Sequence, residues 1–271
     1  MIISSHNNPI AKQVRALRRV KERRASCLFI IEGIRPVGEV VEAHAAGVGY
    51  IQLDFICYSP NLLTSDYARW LVEQQASAGM PCYSFTAEVF ASFAEKENPQ
   101  GILAVGHRAS LDLTSLSPAN FPWGVALASP QDPGNLGAIL RTIDAVGASG
   151  LLLLETSADP THPSAVRASM GTLFWYPVVR ASFNEFVAWT AQHGYTIYGT
   201  SAHASQEVEA IESYRRPLIL LLGSERQGLS LEQAAVCHYM LRLPMKGRAS
   251  SLNLAVAAGV LLYDILQKGR L

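Results

Sequence analysis

Cysteine is scarce and scattered in this chain. Cys27, Cys57, Cys82 and Cys237 stand far apart, and no two form a CxxC pair. That spacing speaks against a zinc site and against a disulfide framework, so no metal is expected, and the thiols read as buried ones in a reducing cytoplasm. No apolar run reaches the roughly 18 residues of a membrane-spanning helix, so no membrane association is expected. Polar residues follow Met1-Ile2-Ile3 at once, which is not the pattern of a signal peptide. Three site signatures are missing as well. There is no GxGxxG after a first strand, no GxxxxGK[ST] and no GxSxG elbow, which argues against dinucleotide binding, P-loop chemistry and the common hydrolase design. Net charge is absent too, with 22 Lys and Arg balancing 22 Asp and Glu.

That balance hides an uneven distribution. Up to Arg35 there are eight basic residues against two acidic ones. Asn7-Asn8-Pro9 can start a helix, and Ile10, Val14, Leu17 and Val20 form its apolar stripe. Lys12, Arg15, Arg18, Arg19, Arg23 and Arg24 then occupy its other face. Such a face is either simply solvated or contacts phosphates, which Lys and Arg neutralise with release of counterions.

At 271 residues, 49% of them hydrophobic, the chain suits two globular domains. Short strands and helices alternate over residues 1–107, predicting a small α/β module in which a helix over residues 66–78 turns Tyr67, Trp70 and Leu71 inward. Residues 108–121, rich in Ser, Thr and Pro, read as a linker.

Residues 122–271 carry three polar loops, each after an apolar run. Trp123 to Ala128 leads into Ser129-Pro130-Gln131-Asp132-Pro133-Gly134-Asn135, where Asn135 is placed to cap the following helix. On that helix Arg141 falls opposite the stripe of Leu136, Ile139, Leu140 and Ile143, facing solvent, a partner or a substrate. Leu218-Ile219-Leu220-Leu221-Leu222 reads as a buried parallel strand ending at Gly223-Ser224-Glu225-Arg226-Gln227-Gly228, and ligands of open α/β sheets sit at such carboxyl ends. Leu243-Pro244-Met245 and Ser251-Leu252-Asn253 bound the last loop.

In this order the three loops resemble the motifs of the SpoU (TrmH-type) RNA ribose methyltransferases: Asn-x-Gly-x-x-x-Arg, Gly-x-Glu-x-x-Gly and Pro-Met…Ser-Leu-Asn. Arg167-Ala168-Ser169-Met170-Gly171 matches as well. The first domain is similar to the L30e-like RNA-binding extension of that family, on Phe29…Glu32-Gly33 and Asn98-Pro99-Gln100-Gly101-Ile102.

The resemblance implies a parallel-sheet domain of SPOUT type whose carboxyl end forms a trefoil knot. It implies S-adenosylmethionine as cofactor, near Thr200, Gly223, Leu243, Met245 and Leu252. It also implies a homodimer through the carboxyl-terminal domain and a cytoplasmic enzyme that methylates a ribose 2′-hydroxyl of structured RNA, ribosomal before transfer RNA. Arg141 matches the residue proposed to activate the hydroxyl, by proton removal or electrostatically. Asn135, Glu225, Ser251 and Asn253 match the polar positions around it, and Arg167 joins the RNA-binding set. The chain departs from the family pattern at Ser250, Arg226 and Ala165. The rival reading is a non-catalytic RNA-binding or assembly protein that keeps the fold.

Overall fold

Asn8 starts the first helix of the chain in a computed structural model that describes residues 2–48 and 50–269. Its side chain accepts the Ile10 N–H, and Pro9 takes the first helical position, where a missing N–H costs nothing. Helix α1 (Pro9–Ala16) buries Ala11 and Val14. The expected single helix breaks at Leu17 and resumes as α2 (Val20–Ser26), leaving Val20 exposed. Arg23 holds the break together. Its Nη1 donates to the carbonyls of Leu17 and Arg18 at 3.0 and 2.9 Å, acceptors that the end of α1 leaves without helical partners. Arg23 is only 3% exposed, so its assignment to an RNA-facing surface is corrected: the guanidinium is spent inside the fold.

The residues divide into two compact units. One holds the chain up to Ala109 together with Thr161–Trp175, and the other holds Ser110–Pro160 and the chain from Tyr176 onward. The domain ends expected at Met1 and at Arg270-Leu271 lie outside the described residues.

In the first unit β1 (Leu28–Glu32), α3 (Ile34–Ala45), β2 (Ile51–Tyr58), α4 (Asp66–Ser77), β3 (Cys82–Ser84), α5 (Ala87–Phe93) and β4 (Ile102–Arg108) follow one another. The sheet order is β1-β4-β2-β3, antiparallel except between β2 and β3. Phe55, Phe85, Phe90 and Phe93 pack with Val14 and Leu17 in its core. Helix α4 buries Ala68, Leu71 and Val72. Tyr67 and Trp70 each precede a buried position by one residue, about 100° around the helix, and are 43% and 53% exposed instead of inward. Cys27 is likewise exposed, whereas Cys57 is buried as expected.

The second unit begins before its first strand. Leu113, Leu116 and Phe121 are buried in its core, so residues 110–121 are packed chain and not a free linker. Its elements are β5 (Trp123–Ala128), α6 (Pro133–Val146), β6 (Leu151–Leu154), β7 (Val178–Ala181), α8 (Phe183–His193), β8 (Thr196–Thr200), β9 (Gln206–Glu207), β10 (Leu218–Leu222), α9 (Leu231–Ala235), β11 (Tyr239–Arg242) and α10 (Leu254–Lys268). α7 (Pro163–Ala168), between β6 and β7 in sequence, packs in the first unit, with Arg167 Nη1 donating to Glu95 Oε2 at 2.7 Å.

The seven strands pair in the order β7-β6-β5-β10-β8-β11-β9, every pair parallel. The leucine-rich run at residues 218–222 is the central strand, buried at all five positions. Each such side chain contributes about 1.5–3 kcal/mol of burial. Because the strands run the same way, the loops after β5, β8, β10 and β11 all leave from one edge.

Arg23→Ala should strip the donors from the Leu17 and Arg18 carbonyls and lower stability by about 1–3 kcal/mol in thermal unfolding. A melting curve superimposable on that of the unaltered chain would show that the guanidinium does not hold the α1–α2 break.

Candidate active site

Helix α6 starts three residues earlier than its apolar stripe suggests. Asp132, not Asn135, is the cap: its Oδ1 accepts the Gly134 N–H at 2.8 Å and Pro133 fills the next position. Asn135 therefore lies inside the first turn, buried, with its side chain free for other work.

That work is a polar relay across three loops. Asn253 caps α10, its Oδ1 accepting the N–H groups of Ala255 and Val256 at 2.9 and 3.3 Å. This leaves its Nδ2 to donate to Asn135 Oδ1 at 3.0 Å. Asn135 Nδ2 in turn donates to Glu225 Oε1 at 2.9 Å. Glu225 also accepts the Gln131 N–H on Oε2 at 3.0 Å and the Asp132 N–H on Oε1 at 3.2 Å. The direction of the relay is forced, since Asn253 has its oxygen occupied at one end and an ionised carboxylate can only accept at the other. Burial alone would raise the Glu225 carboxyl, but the bonds from Asn135 and the loop N–H groups outweigh it and hold the group below its ordinary value.

Gly223 permits the turn between β10 and Glu225. A Cβ there would stand 1.9 Å from the Gly228 carbonyl carbon and 2.2 Å from Leu229 N, both backbone atoms that cannot swing away. Ser224 and Gly228 close the turn through reciprocal main-chain bonds of 3.2 and 3.0 Å. A cavity of about 350 Å³ opens beside it, lined by Ser129, Gln131, Ser224, Arg226 and Gln227.

Thr200, at the end of β8, neighbours Leu241 of β11. Leu243, Pro244 and Met245 are half-buried, while Leu252 is exposed. The backbone of residues 246–252 makes no hydrogen bond to any described residue. Apolar side chains beside uncommitted main-chain donors and acceptors suit a purine nucleoside, whose faces are apolar and whose edges are polar.

Of the expected catalytic group, the structure joins Asn135, Glu225 and Asn253. Arg141 lies farther along α6, exposed and without a hydrogen bond or ion pair to any described residue, and Ser251 is exposed outside the relay. Gln131 and Asp132 are site residues that the sequence reading passed over, although Asp-Pro before an apolar stripe is a helix-start signal. Among the described residues no group of three or more His, Cys, Asp or Glu side chains is arranged to hold a metal ion. Of the basic set in the first unit, Lys12, Arg18, Arg19 and Arg24 are exposed. Arg15 donates to Ser92 Oγ, and Arg18 to the Ala94 carbonyl.

Residues 122–263 match the model of the SpoU rRNA Methylase family, and residues 8–104 match the MRM3-like substrate binding domain. A 23S rRNA (guanosine(2553)-2′-O)-methyltransferase of Bacillus subtilis, RlmP, is 30% identical over 97% of this chain and 98% of its own length. A 23S rRNA (uridine(2479)-2′-O)-methyltransferase of Streptomyces viridochromogenes is also 30% identical, over 98% and 92%. Among solved structures, an AdoMet-bound rRNA methyltransferase from Sinorhizobium meliloti superposes with a TM-score of 0.87 at 31% identity, covering 98% of this chain and 97% of that one.

The relay carries a pH signature. In the unaltered protein the depressed Glu225 carboxyl adds stability above its unfolded pKa, and this is lost as pH falls through the folded value. Asn135→Asp would set a carboxylate against Glu225, costing about 1–3 kcal/mol near neutral pH. The deficit should shrink on acidification as one of the pair takes up a proton. Thermal unfolding across pH reads this directly, and a deficit that is flat with pH would place the two side chains out of contact.

Proposed function

The chain belongs to the SpoU rRNA methylase family, and from that premise we propose that it transfers a methyl group from S-adenosylmethionine to a ribose 2′-hydroxyl of ribosomal RNA. The observation that carries this reading is the Asn253–Asn135–Glu225 relay, which ties the three family motifs together at the carboxyl edge of the sheet. Two relatives that match nearly end to end are named for 2′-O-methylation of 23S rRNA, and a similar structure holds AdoMet.

The residues present fit that cofactor. Thr200, Gly223, Leu243, Met245 and Leu252 would hold it, with uncommitted main-chain groups of residues 246–252 for its polar edges. S-adenosylmethionine supplies an electrophilic methyl group on a sulfonium sulfur that is its own leaving group. The remaining task is to make a ribose hydroxyl nucleophilic. Arg141 is free for it. A guanidinium stays protonated in proteins, so Arg141 serves as a cation and not as a base. It would clamp an RNA phosphate and lower the pKa of the adjacent hydroxyl, whose proton would pass to solvent. Asn135 and Glu225 fix the start of the helix that carries Arg141, and Asn253 fixes the loop above it. Ser251, exposed on that loop, would contact the RNA.

The same reading makes residues 1–107 the RNA-gripping domain and residues 122–271 the knotted methyltransferase domain. β10 inserted between β5 and β8, with β11 beyond β8, supports the trefoil threading. Lys12, Arg19, Arg24 and Arg167 contribute to the grip. A second copy of the chain packs on α10, where Val256, Val260 and Tyr263 form an exposed apolar stripe at helical spacing. No helix among the described residues is long and apolar enough to cross a membrane, and the enzyme works where its RNA is, in the cytoplasm.

Arg141→Ala should lower the rate of methyl transfer to ribosomal RNA by about 100-fold or more, the scale of losing one charge-stabilising donor, with donor affinity unchanged. Wild-type transfer by that variant would remove Arg141 from the mechanism. Val260→Asp should convert a dimer into a monomer in sedimentation, and an unshifted dimer would move the interface elsewhere.

A further inference from the structure

The first unit contains a cleft of about 610 Å³ that the family motifs of the second unit do not explain. Helix α3 builds much of its wall, and Glu32 and Gln100, one from each of the two sequence stretches singled out in this unit, line it as well. Glu32 is buried and accepts the N–H groups of Glu95 and Lys96 at 2.7 and 3.4 Å, which fixes the loop carrying Lys96. Gln100 Oε1 accepts the Ile34 N–H at 3.1 Å, so the start of α3 is already capped and the Gln100 amide nitrogen remains available to donate. Around this frame stand Arg35, Lys96 and Arg167, the carboxylate of Glu42, and the ring of Tyr67.

Tyr67 is seated deliberately. It reaches α3 at Gly38, where a Cβ would come within 2.6 Å of the Tyr67 hydroxyl, so the glycine leaves room for the hydroxyl end of the ring. Burial and the nearby carboxylates of Glu42 and Glu39 raise its pKa, so the hydroxyl keeps its proton at neutral pH. Trp70 continues the surface, its ring centroid 5.9 Å away and tilted by 31°. Two large aromatic rings exposed side by side are costly to leave in water. Beside cations they form the usual platform for an unstacked base, because every base has a π-face and brings a phosphate with it. The volume lies within the ~300–1,000 Å³ of small-ligand sites. The Lys96 ammonium and the Glu42 carboxylate make no ion pair or hydrogen bond to any described residue.

We infer that this cleft receives one unpaired nucleotide of the RNA substrate, with its base stacked on Tyr67, its phosphate on Lys96 and Arg35, and N–H donors of the base edge facing Glu42. The inference rests on the reading of the chain as an RNA methyltransferase and adds what that reading lacks. The protein would grip a looped-out base in a single-stranded segment, far in sequence from the residues of the methyl-transfer site. Guanine, with adjacent N1–H and N2–H donors, is the base that best matches a carboxylate.

The test uses the full chain and two fluorescent RNAs, a mixed-sequence single strand of ten nucleotides containing guanine and a blunt duplex of the same sequence. Affinities are read by anisotropy at fixed salt. Tyr67→Ala should weaken single-strand binding about tenfold, the scale of one lost base stack. Tyr67→Phe, which keeps the ring, should bind like the unaltered chain. Lys96→Gln should weaken binding and reduce the salt slope by about one. Duplex affinity and S-adenosylmethionine affinity should not change in any variant. If Tyr67→Ala and Lys96→Gln bind the single strand as tightly as the unaltered protein, the cleft assignment fails while the methyltransferase reading stands. Equal weakening of duplex and single strand would also overturn it. If the unaltered chain does not bind the single strand, the cleft assignment fails, while the methyltransferase reading is judged by methyl transfer to ribosomal RNA.

Discussion

The side chain of Asn135 is the point on which the second unit turns. It is a buried amide inside the first turn of a helix, with its oxygen used by Asn253 and its nitrogen by Glu225. A buried amide with either end unpaired costs of order 1–3 kcal/mol, so each loop keeps the others in register. The loops after β5 and β10 and the cap of α10 are far apart in sequence, and the parallel sheet only brings their roots to one edge. The relay converts that shared edge into a single site, with a carboxylate held ionised by the donors around it.

The parallel sheet and the site loops were legible for definite reasons. A run of five apolar residues bounded by turn signals has few readings besides a buried strand, and β10 proved to be the central one. Glycine at 223 reads as a turn in sequence. The structure adds that any side chain there would collide with main chain. What sequence periodicity did not reveal were departures decided by single contacts. The first basic helix divides because Arg23 caps its carbonyls from within, so a basic side chain was counted on the wrong side of the surface. Tyr67 and Trp70 were read inward because aromatic residues usually are, whereas the burial rhythm of α4 runs through Ala68, Leu71 and Val72. The Ser- and Pro-rich stretch before β5 looks like a linker, yet three apolar residues within it fill the core of the second unit.

The chemistry divides along the same lines. The second unit offers apolar surface, free main-chain groups and the unpaired Arg141, which suits a donor that carries its own leaving group and needs little beyond positioning. The first unit offers cations and exposed rings, which suit RNA but not the methyl donor. Thr161–Trp175 belongs by sequence to the family region at 122–263 and by packing to the first unit. Arg167, one of the family's matching positions, therefore stands among the residues of the cleft that carries Tyr67.

The most direct measurement is a map of 2′-O-methylated nucleotides across the ribosomal RNA of cells that carry or lack this gene. The account predicts that one ribose in ribosomal RNA loses its methyl group when the gene is absent and regains it when the intact chain is restored. Identical maps in the two strains would contradict it.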